Sequence, residues 1–354
     1  MPATAAGVTD QFIAVAAETS YAEAATTFAR VVPARNDSWE PNIQEVGTES
    51  HRPGRQAMAA DQATQVPAGG TGSVEMLIPN SGNFLLLRDL LDEWDTDLDP
   101  ITDASSLRRF NAASNGTGPP PGAARSLSYL VGRADQDQAR REILYSGCVV
   151  TDWALSCDVG GPALLTVNYD WAQRTIGRPS SDAAYEPPDL SKTISGPWYT
   201  WRDLLVTIDD TPVPVVTSLT ATGDRGLDTE LFGLSGTELK AQPSRGRVPA
   251  YSVTLECRYD ATTAALLDHW GDDEATGAIA ITLLGRVDLK SSGATPITTS
   301  LTLSFAEAKV VGSEPVASLD AMTTISVALQ PVDPYDGATS AATLSAVGAQ
   351  TAID

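Results

Sequence analysis

The sequence predicts a mainly β protein made of two similar units in tandem. Three observations carry this. Short runs alternating apolar and polar residues recur along the chain, Gly/Pro/Ser/Asn clusters separate them, and two helix-period segments each follow a strand. The clearest hairpin lies between Tyr145 and Tyr169. Val150, Trp153, Leu155 and Cys157 stand among small polar residues, and then Leu164, Leu165, Val167 and Tyr169 flank Thr166 and Asn168. Gly160-Gly161-Pro162 supplies the turn between them. An isolated hairpin is marginal in water, so this one belongs to a larger sheet. It holds no nucleophile, base or metal cluster.

In chain order, residues 1–38 read as an N-terminal arm in which Phe28, Val31 and Val32 begin a strand that stops at Pro33. Residues 39–72 are extended and polar. Ile43 and Val46 belong to a strand ending at Gly47, and the rest has loop chemistry, with His51-Arg52-Pro53-Gly54-Arg55 as a turn and Gly69-Gly70 as a hinge. So long a structureless stretch is uncommon inside a compact domain and suits a loop that reaches a neighbour. Residues 73–79 form a strand. Residues 80–94 follow as a helix capped by Asn80 or Ser81, with Phe84, Leu87, Leu90, Leu91 and Trp94 at helical spacing. Beyond an acidic stretch (Asp95, Asp97, Asp99) and a Gly/Pro-rich loop over 111–125, residues 126–133 form the strand before the hairpin. A Pro/Ser-rich connector over 174–197 leads to strands at 204–208, 213–221 and 250–257. A second helix over 261–270 precedes strands at 279–284, 298–305 and 323–329.

The two halves align on one another. An offset of 176 sets Gly47 on Gly223, Gly70 on Gly246, and Leu90-Leu91-Asp92-x-Trp94 on Leu266-Leu267-Asp268-x-Trp270; it also sets the strand at 73–79 beside 249–255. An offset of 153 sets Leu130-x-Gly132-Arg133 on Leu283-x-Gly285-Arg286. The second half is therefore 23 residues shorter between helix and strand, where the first carries its Gly/Pro loop.

Composition excludes several functions. The net charge of −22 is incompatible with a broad basic surface that grips nucleic acid. Four of the 23 basic residues are lysine and the rest arginine. Two origins fit, a salt-rich habitat or a GC-rich genome, and the first accounts better for so large a negative charge. No run is long and apolar enough for a membrane helix, and the N-terminus lacks the pattern of a secretory signal. Cys148, Cys157 and Cys257 form no CxxC pair and read as buried thiols; the odd spacing of the first two places them on opposite faces of a regular strand. The two histidines, His51 and His269, belong to no metal-ligand pattern and leave little material for a Ser-His or Cys-His mechanism. The acidic run from Asp92 to Asp99 lacks the glycine and closing glutamate of a calcium loop. No catalytic, cofactor or metal site is expected. Gly132-Arg133 and Gly285-Arg286 place Arg133 and Arg286 at strand ends in both halves, either as subunit contacts or as exposed cations on a terminating turn.

The turn His51–Arg55 followed by Gly72-Ser73-Val74-Glu75, the helix start Gly82-Asn83-Phe84-Leu85-Leu86-Leu87, and the strand pair Tyr145–Val150 with Leu164–Val167 resemble the major tail tube proteins of long-tailed, non-contractile phages and related archaeal viruses. The late strands 215–221 and 250–255 fit too, and the resemblance covers roughly residues 20–335. It implies two tandem β-sandwich or partial-barrel units of the tail-tube type, each with one flanking helix: 39–173 and 201–335, with a connector at 174–200 and a C-terminal tail at 336–354. It implies a virion structural protein, made in the host cytoplasm, with no enzymatic activity and no cofactor. Copies would close into a ring of three chains with pseudo-sixfold symmetry, or of six. Rings would stack into a tube that meets other tail proteins at its ends and passes double-stranded DNA without specific binding. His51, Arg52 and Arg55 would then contact a neighbouring subunit or ring. Two other classes are alternatives: a secreted or surface-layer β-sandwich binding module of a halophilic microbe, and a carbohydrate-active enzyme with paired carboxylates such as Glu75 and Asp152.

Overall fold

The computed structural model describes residues 11–28, 30–47, 63–80, 84–91, 93–94, 99–101, 104–114, 126–134, 140–176, 197–213, 215–230, 240–260, 263–264, 277–288, 298–318, 321–334 and 339–348. The first half contains β1 (Phe12–Ala17), β2 (Arg30–Val32), β3 (Ala34–Gly47), β4 (Ala63–Leu77), helix α1 (Phe84–Arg88), β5 (Glu93–Trp94), β6 (Asp99–Ile101), β7 (Ala104–Ala113), β8 (Leu127–Ala134), β9 (Arg140–Asp158), β10 (Leu164–Trp171) and β11 (Gln173–Ile176). The second contains β12 (Leu204–Ile208), β13 (Thr211–Pro212), β14 (Val216–Asp224), β15 (Leu227–Asp228), β16 (Ser244–Arg245), β17 (Ala250–Arg258), β18 (Ile279–Asp288), β19 (Thr298–Phe305), β20 (Glu307–Ser318), β21 (Ala321–Val332) and β22 (Ala342–Gly348).

These strands form a 12-stranded and an 8-stranded antiparallel sheet, with β15 and β16 paired apart. The organising element is β9, 19 residues long. Its first part pairs with β8 and β11, and its second with β10 and β14. Gly147, at φ +68°, lies between the two parts. Four residues on, the ladder with β10 jumps from Asp152 to Val150, leaving Thr151 bulged out. That bulge inverts the inside–outside parity. Cys148 and Cys157 are therefore both buried, against the opposite faces expected from their spacing. Burial raises the thiol pKa of Cys157 and Cys257 to about 11 and that of Cys148 well above its usual value, which makes all three poor nucleophiles.

One continuous apolar core lies between the layers. Met76, Trp153, Leu155 and Leu165 come from the large sheet, Ile281, Leu301, Leu303 and Leu344 from the other, and Phe84 to Leu87 from α1. Strand β17 shows how the sequence builds it: Tyr251, Val253, Leu255 and Cys257 are buried while each residue between them is exposed. Strand β1 lacks such alternation because both its faces are covered. Ile13 and Val15 join the main core, whereas Phe12, Ala14 and Ala16 pack with Phe28, Val31, Leu130 and Leu144 on the other side. Residues 12–32 of the expected arm therefore contribute two sheet strands.

Three further differences from the sequence reading share a cause, long-range pairing. Residues 63–72, read as loop, extend β4 because they pair with β3. The helix is five residues long rather than the expected span of 80–94. Its apolar residues are buried on all sides, and the chain then turns so that Trp94 pairs with Ala112 and its ring takes the Arg88 guanidinium at 5.0 Å. Finally, β7 from the first half pairs with β22 of the expected C-terminal tail, so the second sheet is built from both halves. Most of the second helix, 261–270, lies outside the described residues; Thr263 and Ala264 are helical.

Candidate functional site

The large sheet presents one polar face away from the core. Its rows run across strands from both halves: Ser156, Thr220, Thr254 and Ala328 in one row, and Ala154, Thr222 and Ser252 in the next. Thr222 and Ser252 hydroxyls are 2.7 Å apart, and Ser218 donates to Asp158 at 2.7 Å. Short hydroxyl side chains bond to one another or to adjacent carboxylates and leave a flat, hydrated surface. Glu40, Glu75, Asp152, Asp158, Asp224 and Glu256 give it an acidic character, partly offset by Arg35, Arg247, Arg258 and Lys309.

Eight strands carry this face in the order β3-β4-β10-β9-β14-β17-β21-β20. The second four repeat the pairing pattern of the first. Strand β3 pairs with β4, β4 with β10 and β10 with β9; likewise β14 pairs with β17, β17 with β21 and β21 with β20. The bulges recur as well. Arg35 is extruded from β3 and Thr217 from β14; Thr151 is extruded from β9 and Val311 from β20. These bulges set Glu75 on Glu256 and Pro41 on Gly223, so the Gly47–Gly223 match of the sequence offset does not hold in the sheet. Strand β9 joins β14 at the middle. Among the described residues, β3 and β20 each have one partner, so the run ends in two free edges.

Large aromatic rings lie over glycines on neighbouring strands. Trp39 covers Gly72, Trp171 covers Gly70, and Trp153 covers Gly223, each directly opposite in register. At one end of the polar face, Ser38, Glu40, Thr71, Asp152, Asn168, Asp224 and Arg247 line an open groove of about 510 Å³. Asp152 is held by the Asn168 amide and by Thr151 at 2.9 Å. Asp170 lies beside it, almost fully buried and ion-paired with Lys240. Burial raises the Asp170 pKa, and the Lys240 partner opposes that shift. Arg225, also buried, donates to the Val150 carbonyl at 3.2 Å, so the segment after β14 is tied to the first half at two charged points.

The residues singled out in the sequence do not converge. Arg133 lies in β8 and is ion-paired with Asp37 of β3, which also accepts from the Trp39 indole at 3.0 Å. Arg286 lies in β18 of the other sheet. His51, Arg52 and Arg55 lie outside the described residues. Glu75 is 3.9 Å from Arg35, and β10 separates it from Asp152. The polar rows and free edges are not legible in the sequence because β20 lacks a clean period; its bulge and Pro315 break the alternation that marks a strand. Among the described residues no group of His, Cys, Asp and Glu is arranged to hold a metal ion, and no helix is long and apolar enough to cross a membrane.

A family model described as phage tail tube protein matches residues 9–327. Among solved structures, the chain is similar to the SPP1 tail tube determined by solid-state NMR and cryo-EM. The identity is 15% and the TM-score 0.27, over 43% of this chain and 81% of that one. No curated protein matches the sequence.

Proposed function

Because the chain belongs to the phage tail tube protein family, we propose that it is the tail tube subunit of a virion whose copies close into rings and stack as the conduit for double-stranded DNA. The observation that carries this is the eight-strand run with two free ends. One edge is β3 and the other β20, so copies join head to tail, a heterologous contact that closes into a ring when the rotation permits. Closure would also remove the edges, which otherwise invite uncontrolled pairing. Since each half repeats the other's pairing order and bulges, three chains would present six similar units, the pseudo-sixfold ring; a ring of six chains is the alternative.

The polar face would line the lumen. Its excess of carboxylates repels phosphates, so DNA slides through rather than binding. His51, Arg52 and Arg55, which fall in sequence between β3 and β4, are proposed to reach the adjoining subunit or ring. Arg133 and Arg286 act at strand ends, Arg133 by bracing β3 through Asp37. The protein would be made in the host cytoplasm, carry no enzymatic activity or cofactor, and meet other tail proteins at the tube ends.

Negative-stain microscopy of the purified full chain tests this. Rings or tubes with a central hole of DNA width are expected, and class averages with three chains per ring would support the two-unit reading. Dispersed monomers whose mobility shifts with an added glycan or protein ligand would instead favour a binding module.

A further inference from the structure

The internal β9·β14 joint is a template for the contact between copies. It is hydrogen-bonded from Val159 N to Thr217 O and from Arg225 N to Thr151 O, both 2.9 Å. Those bonds flank the pairs Asp158↔Ser218 and Asp152↔Asp224, which are therefore non-hydrogen-bonded pairs. By alternation, Trp153, Leu155 and Cys157 of β9, with Leu219, Ala221 and Gly223 of β14, direct their backbone N–H and C=O groups into the joint.

The matching bulges carry this register onto the free edges. Thr151 corresponds to Val311 and Thr217 to Arg35, so Ser156 corresponds to Val316, Ala154 to Glu314, Thr220 to Ser38 and Thr222 to Glu40. In the same frame, Leu155 corresponds to Pro315 and Gly223 to Pro41. Both prolines thus fall where a backbone N–H would point out of the free edge, the position at which an edge strand tolerates proline.

We propose that a second copy docks its β3 on β20 in the register of the β9·β14 joint, with Val316 opposite Ser38 and Glu314 opposite Glu40, and that this seam is deliberately weaker than the internal one. This rests on the ring reading above. Pro41 and Pro315 each remove one ladder donor that the internal joint keeps. Two glutamates stand directly opposite where the internal joint has Ala154 and Thr222, and like charges so placed repel. The tie from Lys240 to Asp170 spans only the internal joint. Single copies are thereby kept from pairing at random, and closure responds to salt and acid, which screen or neutralise the glutamates.

The test uses the full-length chain with engineered cysteine pairs, since residues of non-hydrogen-bonded pairs come close enough for a disulfide. Under mild oxidation Ser38→Cys/Val316→Cys should form a covalent ladder ending at the ring size. Ser156→Cys/Thr220→Cys should form an intrachain disulfide as the internal standard, and the slipped pair Ser38→Cys/Glu314→Cys should not cross-link. In parallel, Glu40→Gln/Glu314→Gln should lower the concentration at which rings appear by about two- to fivefold per seam and flatten its salt dependence. Rings that cross-link through the slipped pair, or a glutamine variant assembling no more readily than wild type, would sink the seam while leaving the tube reading intact. Absence of rings at every salt concentration would remove both.

Discussion

Trp153 of β9 lies flat over Gly223 of β14, its direct cross-strand neighbour, and donates its indole N–H to the Leu90 carbonyl at 2.9 Å. One side chain thus spans the joint between the halves and the turn after α1. A Cβ at residue 223 has no room beneath the ring. Gly223→Ala is expected to cost about 1–3 kcal/mol through overpacking, read as a lower urea midpoint. An unchanged midpoint would mean that the ring does not sit on this glycine.

Lys240 and Asp170 form an ion pair in which both side chains are almost fully buried. Lys240→Met leaves the carboxylate without its partner and should destabilise by about 3–5 kcal/mol. The double variant Lys240→Met/Asp170→Leu should recover most of that loss, because it removes the charge along with its partner. A double variant as unstable as the single one would show that the segment is held by packing instead.

Glu18 is a buried carboxylate that accepts from Ser126 at 2.5 Å, Ser128 at 2.7 Å, the Gly147 amide at 2.8 Å and the Ala22 amide at 3.0 Å. Burial nevertheless raises its pKa above the usual glutamate value. A raised folded-state pKa contributes stability that is full below the ordinary glutamate pKa and is lost as pH rises through the raised one. Native-state hydrogen exchange of β1 and β8 should therefore slow on mild acidification, after correction for intrinsic rates. Glu18→Gln, which cannot titrate, should lose that response. The same pH response in both proteins would assign it to other groups.

The polar face yields a functional prediction. Thr222→Arg/Thr254→Arg adds cations to its hydroxyl rows without touching the core. Assembled tubes of this variant should retain duplex DNA at roughly 0.15 M salt, whereas wild-type tubes should let it pass on a sizing column. Equal elution from both would place the lumen on another surface.

Much of the architecture is legible locally. Alternation in Thr298–Phe305 and in Leu204–Ile208 yields strands with the bounds expected, since a half-buried strand writes its period directly into neighbouring residues. What escaped was set by distant partners. β1 is buried on both faces and so has no period; residues 63–72 become strand only because β3 lies beside them; Trp94 leaves its helical pattern to pair with Ala112.

The resemblance to tail tube proteins rests on residue patterns along the chain, and the mainly β class was readable there too, because it depends on local periodicity and turn chemistry. Which faces look inward depended on the folded sheet. A single bulge at Thr151 reverses the parity of β9, so Cys148 and Cys157 share the core and Asp152 joins the polar face. A bulge is a mismatch between two ladders, and its position is decided by residues far away in sequence. For the same reason, only the tertiary structure set β7 against β22, joined β9 to β14, and left β3 and β20, among the described residues, as the ends of the eight-strand run.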